Sequence, residues 1–202
     1  MDPFLFNLAK ALASKNEVQG KSILEVGSCN VNGSFKAIFQ ELGPKKYTGV
    51  DIVEGPNVDL VCDVKNIVKQ FGKGSFDIVV CTEVIEHVEE WRIAITNMME
   101  VLKIGGIIYL TSRSRGFGIH GYPSDYWRYE IEDIKTIFRK YDILVLHKDQ
   151  FQDDHFGFFL KAVKINNSLP DLSRHCLYNI NTDLPENTLG LENNNIKRTL
   201  EQ

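Results

Sequence analysis

Residues 22–33 read Ser22-Ile-Leu-Glu25-Val-Gly27-Ser28-Cys-Asn-Val-Asn-Gly33. The first five are a short apolar run that stops at a glycine, the pattern of a buried strand. A helical pattern follows, with Phe35, Ile38, Phe39 and Leu42, ended by Gly43-Pro44. A strand that enters a helix through a glycine turn lets backbone approach a ligand, and the helix start offers free N–H groups. The turn is not Gly-x-Gly-x-x-Gly, because Cys29 and Val31 stand where further glycines would be. By itself it reads equally as an ordinary strand-to-helix connection.

The pattern continues outward from this turn. Before it, Pro3–Ser14 has apolar residues at helical spacing. After it, strands are expected at Tyr47–Ile52, Val58–Cys62, Phe76–Cys81, Ile107–Leu110, Tyr141–His147 and Phe156–Val163. Helices are expected at Val64–Phe71, Val88–Leu102 and Glu130–Phe138, and Arg113–Tyr129 is expected as a long loop. Strands that alternate with helices imply a mainly parallel sheet covered on both faces. Such a sheet binds ligands at the carboxyl ends of its strands. Gly27, Asp51, Asp63 and the segment Cys81–His87 all fall at those ends.

Asp51 ends the second strand, about twenty residues beyond the glycine turn, where a carboxylate can accept both hydroxyls of a ribose. The alternative is a solvated strand-end carboxylate. Asp63 follows the third strand. It can accept from an adenine amino group or cap the next helix, and the residues favour neither.

Four motifs then stand in register: Ile-Leu-Glu-Val-Gly, Tyr-Thr-Gly-Val-Asp51, Phe-Asp-Ile-Val-Val-Cys-Thr-Glu-Val-Ile-Glu-His87-Val and Leu-Lys-Ile-Gly-Gly-Ile-Ile-Tyr-Leu. Their order resembles the class I S-adenosylmethionine-dependent methyltransferases of the type 11 kind, across about Ile23 to Phe138. The resemblance implies a doubly wound, Rossmann-like, seven-stranded α/β sheet, mostly parallel with an antiparallel edge strand. It implies S-adenosylmethionine as cofactor and S-adenosylhomocysteine as product. Glu25 and Gly27 would line the methionine end, Ser28 and Gly33 would also bind the cofactor, and Asp51 would hold the ribose with Ile52 against the adenine. Asp63 and Val64 would meet the adenine, and Thr82 and Glu83 would lie under the sulfonium. His87 would contact cofactor or acceptor, or make a structural hydrogen bond.

The loop Arg113–Tyr129 follows the fifth strand and should overhang the same ends. It is too long and too rich in functional groups for a mere connection. Its His-Gly-Tyr-Pro-x-Asp-Tyr-Trp-Arg string resembles a segment in a subset of these methyltransferases. Methyl transfer needs alignment, exclusion of water and sometimes removal of a proton. His120 and Asp125 are therefore the candidate bases. Arg115 and Arg128 could hold an anionic acceptor, and Tyr122, Tyr126 and Trp127 could wall the site. The alternative packs Tyr126, Trp127 and Tyr129 onto the sheet and pairs Arg128 with a carboxylate.

Composition narrows the partners. The 202 residues are 43% hydrophobic and 25% charged with a net charge of -4, which argues against a general nucleic-acid binder. No run approaches the roughly 20 apolar residues of a membrane span. The first twelve residues lack the pattern of a secretory leader. Four scattered cysteines suit a reducing, cytoplasmic compartment. His147 and His155, with Asp153 and Asp154, match no metal-site spacing, so no metal is expected. One domain is expected over 1–165, with a polar, loosely ordered extension over 166–202. The lead reading is methyl transfer to a small-molecule or sugar-like acceptor. A protein or nucleic-acid acceptor, a non-catalytic partner subunit and a nucleotide-binding oxidoreductase are the alternatives. The sequence carries no signal of oligomeric state.

Overall fold

The computed structural model describes residues 3–31, 33–121, 124–149, 156–170 and 172–186. Its centre is a seven-stranded sheet. In chain order the strands are β1 (Ser22–Val26), β2 (Lys46–Asp51), β3 (Leu60–Val61), β4 (Phe76–Thr82), β5 (Leu102–Arg113), then β7 (Asp142–Lys148) and β8 (Gly157–Val163). The shorter β6 (Trp127–Arg128), β9 (Tyr178–Asn179) and β10 (Leu184–Pro185) make a separate three-stranded sheet. The main sheet runs β3-β2-β1-β4-β5-β8-β7. Neighbours from β3 through β5 pair in parallel. β8 runs antiparallel to β5 on one side and to the outermost strand β7 on the other. The antiparallel strand thus lies at one flank, one place in from the edge.

Alternation along the strands builds two cores. In β4, Val79 and Cys81 point to one face, and Ile78 and Val80 to the other. The first face is covered by α4 (Ile67–Phe71), α5 (Trp91–Val101) and α6 (Ile131–Ile137). The opposite face is covered by α1 (Pro3–Leu12), α2 (Lys15–Val18) and α3 (Lys36–Glu41). Helix α5 buries Trp91, Ala94, Ile95, Met98 and Met99. That spacing of three and four residues presents one apolar stripe to the sheet. α2 is a single turn beyond the expected elements. Glu17 caps its start by accepting from the Ser14 amide at 3.1 Å.

The Gly105-Gly106 pair, expected to start the fifth strand, lies inside it, because β5 begins at Leu102. Gly105 has a φ of +77° and donates its N–H to Lys164 O at 2.7 Å. A Cβ on Gly106 would stand 2.9 Å from the Asp77 carbonyl oxygen. The two glycines form an irregularity that shifts the β4–β5 register between Phe76 and Ile78.

Packing continues past residue 165, where composition alone had ended the domain. Leu172 and Leu177 are buried in the core beside α5. Arg92 on α5 clamps this segment through Glu186 (2.5 and 2.7 Å), Leu172 O (2.9 Å) and His175 O (2.5 Å). Strand β9 pairs with β6, so the segment also holds the loop after β5. Among the described residues no helix is long and apolar enough to cross a membrane.

Candidate active site

The chain leaves β1 toward β2 on one side and returns to place β4 on the other. The reversal lies at the carboxyl ends of these strands, where a crevice is expected. A cleft of about 880 Å³ opens there.

Its floor is the β1 turn. Gly27 has a φ of +72°, and its N–H and that of Ser28 donate to Val50 O at 2.9 and 3.0 Å. A side chain at Gly27 is excluded twice over, since a Cβ would stand 2.0 Å from Val84 Cγ2. Beyond it, Asn30 Oδ1 accepts from the Gly33 amide at 2.9 Å. This asparagine closes the turn that further glycines would otherwise shape. Asp51 Oδ2 accepts from the Cys29 amide at 3.0 Å, which ties the end of β2 to the turn.

All eleven residues expected around the cofactor line this cleft: Glu25, Gly27, Ser28, Gly33, Asp51, Ile52, Asp63, Val64, Thr82, Glu83 and His87. Glu25 is 1% exposed, and burial pushes its carboxyl up to about 7 against the pull of the Ser34 hydroxyl. Ser34 Oγ donates to Glu25 Oε1 at 2.8 Å, and the Tyr47 hydroxyl stands beside the same carboxyl. Asp63 combines both of its expected roles. Its Oδ1 caps the turn Val64–Asn66 by accepting from Lys65 N at 2.8 Å, and the residue still lines the cleft. Ile52 stays half exposed at the cleft wall.

Glu83 sits in the left-handed region at a φ of +57°, rare for a side chain of its kind. A 3₁₀ turn, Ile85–His87, follows it. With three residues per turn, this brings Glu86 round to the side of Glu83. Both carboxyls are buried, and burial holds both above the usual carboxylate range, with the charge of Glu86 adding at Glu83 and that of Asp125 at Glu86. Arg113 at the end of β5 answers part of this charge. Its Nε contacts Glu83 Oε2, its Nη1 lies 3.2 Å from Asp149 Oδ2, and its guanidinium stacks on Phe117. Glu86 Oε2 accepts from Ser112 Oγ at 2.7 Å. Arg113 and Glu86 had no role in the reading from sequence. The Glu-x-x-Glu-His spacing was the available signal for Glu86, and the strand-end position for Arg113.

The long loop is less as expected. His120 and Tyr126 line the cleft. Asp125 does not: its carboxylate takes Arg128 Nη1 at 2.6 Å and Nη2 at 2.7 Å, with the His120 amide at 2.9 Å. Arg128 is fully buried and also donates to the carbonyls of Phe117, Gly118 and Trp127. With its donors committed inside the loop, it has none left for an acceptor, and its assignment to acceptor binding is corrected. Asp125 is likewise corrected from a base facing the acceptor to a support behind His120. Arg115 lies over the Tyr178 ring, 4.5 Å from its centre, and outside the cleft. Trp127 is buried, with its indole N–H shared between Val88 O and Glu89 O at 3.0 Å. Tyr122, Asn32, Asp153, Asp154 and His155 lie outside the described residues. His147, on β7, contacts Phe4 and does not line the cleft.

Residues 24–110 match the family described as "Methyltransferase domain". The ubiquinone biosynthesis O-methyltransferase of Idiomarina loihiensis is 29% identical over 48% of this chain. The match covers 44% of that relative, so this chain spans less than half of its length. Among solved structures, the 1,6-didemethyltoxoflavin-N1-methyltransferase of Burkholderia thailandensis, holding 1,6-didemethyltoxoflavin and S-adenosylhomocysteine, is similar with a TM-score of 0.64. That likeness covers 82% of this chain and 80% of the other at 16% identity. An S-adenosylmethionine-dependent methyltransferase from Aquifex aeolicus has a TM-score of 0.55 over 81% and 94% at 14% identity. At these identities the likeness is one of fold. Residues 24–110 thus resemble a methyltransferase domain, and the solved structures that share the fold are those of methyltransferases that use S-adenosylmethionine.

The residues present fit that cofactor. The Glu25 carboxyl, which lines the cleft, suits the cationic amino acid end of that cofactor. Asp51 and Asp63 line the same cleft and offer carboxylates to hydroxyl and amino donors of such a ligand.

Proposed function

We propose that this protein methylates a small-molecule acceptor, with S-adenosylmethionine held across the ends of β1, β2 and β4. The observation that carries the reading is one cleft with two chemically different halves. One half has the carboxylates Glu25, Asp51 and Asp63 spaced along it; the other has His120, Arg113 and Tyr126. When bound, S-adenosylmethionine supplies a methyl carbon made electrophilic by positive sulfur, and S-adenosylhomocysteine remains once an acceptor lone pair has taken it.

The chain's own residues do the rest. Glu25 binds the amino acid end and Asp51 the ribose hydroxyls. Ile52 and Val64 exclude water from the adenine faces. Tyr126 walls the acceptor half. His120 Nε2 can take the acceptor proton, with Asp125 Oδ2 behind its Nδ1 at 3.1 Å, off the axis of an ideal hydrogen bond. Burial lowers the imidazole's affinity for a proton and Asp125 raises it in part, which leaves a neutral base near neutral pH.

The Burkholderia thailandensis structure holds a small acceptor, and a molecule of that size suits a cleft already shared with a cofactor. The reading keeps the protein in the cytoplasm, where Cys29, Cys62, Cys81 and Cys176 stay as thiols. Calorimetric titration with S-adenosylmethionine and S-adenosylhomocysteine, on the wild type and on Asp51→Ala, tests the proposal. Saturable binding in the wild type that weakens about 10- to 150-fold in the variant is expected, the worth of hydrogen bonds to a charged acceptor. A folded wild type that binds neither ligand overturns it.

A further inference from the structure

Glu86, His87 and His120 come from two segments more than thirty residues apart, yet their ligating atoms all lie within 4.8 Å of one another. Glu86 Oε1 is the meeting point: His87 Nε2 is 4.0 Å from it and His120 Nε2 is 3.8 Å. Both distances are too long for hydrogen bonds. Glu86 is wholly buried, and its Oε1 has no donor among the described residues. A buried carboxylate oxygen without a partner is costly, so something is expected to fill the space between these three groups.

The surroundings say what. His87 Nδ1 lies 2.5 Å from Ser124 O, so Nδ1 carries the proton and donates, and Nε2 keeps its lone pair. His120 has Asp125 Oδ2 beside its Nδ1, which leaves its Nε2 likewise turned toward Glu86. Ser112 Oγ holds the other oxygen of Glu86. Two of the three ligating groups, His87 and Glu86, are thus held by an outer hydrogen bond, and the Asp125 carboxylate stands beside the third. That is how proteins orient metal ligands.

We propose that Glu86, His87 and His120 bind a divalent transition ion of borderline character, such as zinc, manganese or iron(II). Two imidazoles and one carboxylate are a donor set for such ions, and leave coordination positions open. Ligands of a tetrahedral ion with bonds of about 2.0–2.1 Å stand roughly 3.3 Å apart, so the side chains close in by under about 1.5 Å. His87 and His120 line the cleft while Glu86 lies behind them, so the open positions face the acceptor half. Taken with the methyltransferase reading, on which this last step rests, the acceptor offers an oxygen donor to the ion. The ion then lowers the acceptor's pKa and takes over the activation otherwise left to His120. The scattered spacing of 86, 87 and 120 hides this site from any search for metal motifs in the sequence.

The test uses the full chain, stripped of metal with a chelator and titrated with cobalt(II). Visible d–d absorption that saturates at one equivalent and is displaced by zinc is expected. Glu86→Gln and His120→Ala should each weaken cobalt binding at least about tenfold, the lower end of what losing even an outer partner costs. S-adenosylhomocysteine affinity, measured alongside, reports whether each variant keeps its fold. If a variant unfolds, the wild-type cobalt complex still decides, since two paramagnetically shifted Nδ1–H signals are expected from two coordinated imidazoles. No saturable cobalt spectrum, a spectrum unchanged in both folded variants, or fewer than two shifted imidazole signals overturns the site. Cofactor binding without cobalt binding would sink this inference alone and leave the methyltransferase reading standing.

Discussion

Arg128 donates from both of its Nη groups to the carboxylate of Asp125, three residues before it, in a pair with almost no solvent exposure. The remaining donors of Arg128 reach three carbonyls of the same loop. The pair therefore gives an otherwise irregular segment one shape, and that shape delivers His120 to the cleft.

Breaking this pair from one side should be severe. Arg128→Met leaves the Asp125 carboxylate buried without its cation, at a cost of about 3–5 kcal/mol. Asp125→Asn should cost less, because Arg128 keeps its three carbonyl partners. Urea denaturation of the two variants beside the wild type measures both. A loss in Arg128→Met no larger than in Asp125→Asn would refute the reading of the pair.

Glu25 should make cofactor binding depend on pH. Burial raises its folded pKa to about 7 from an ordinary 4.5. Between those values the unfolded chain has released the proton and the folded chain has kept it, so this group's contribution to stability falls as pH rises from 4.5 to 7. A cationic ligand favours the ionised form. Affinity for S-adenosylmethionine should therefore climb as pH passes through 7 and level off above it. Calorimetry from pH 6 to 8.5 should show this in the wild type and a flat, weaker profile in Glu25→Gln.

Gly27→Ala should lose both fold and cofactor. The new Cβ meets Val84 Cγ2 at 2.0 Å and sits at a φ of +72°. A strained left-handed residue alone costs about 1–3 kcal/mol. Adding Val84→Ala relieves the clash and leaves the backbone strain. The double variant should recover part of the melting temperature of the single one, and full recovery would show that the φ does not matter.

The segment beyond residue 165 should be structural. Leu177 is completely buried against the α5 face. Leu177→Ala should cost about 2–5 kcal/mol, as for other core leucines. Asn181 Nδ2 donates to Asp125 O, and the Ile180 amide to Tyr126 O. Truncation after residue 170 should accordingly expose the loop around His120 to proteolysis before the rest of the domain. Unchanged cleavage of that loop would count against a supporting role.

Much of the sheet was legible because its signals are local. The run Phe76–Cys81 and the helical stripe from Trp91 to Met99 each announce one element within a dozen residues. The two-residue strands β6, β9 and β10 announced nothing, since their pairing is decided across fifty residues by the docking of Leu172 and Leu177. The segment after 165 looked polar because few of its side chains point inward, and those few were not periodic.

The site divides in the same way. The chain by itself determined Gly27, Asp51, Asp63 and the Glu83 to His87 segment as strand-end residues, because a right-handed α/β crossover puts every such end on one rim of the sheet. Only the tertiary structure decided which loop side chains join them. Asp125 and Arg128 turned out to face each other, while His120, with no periodic neighbour to mark it, came to lie against Glu86. The direction of a side chain in an irregular loop is set by what packs behind it, and in this protein those partners lie far away in sequence.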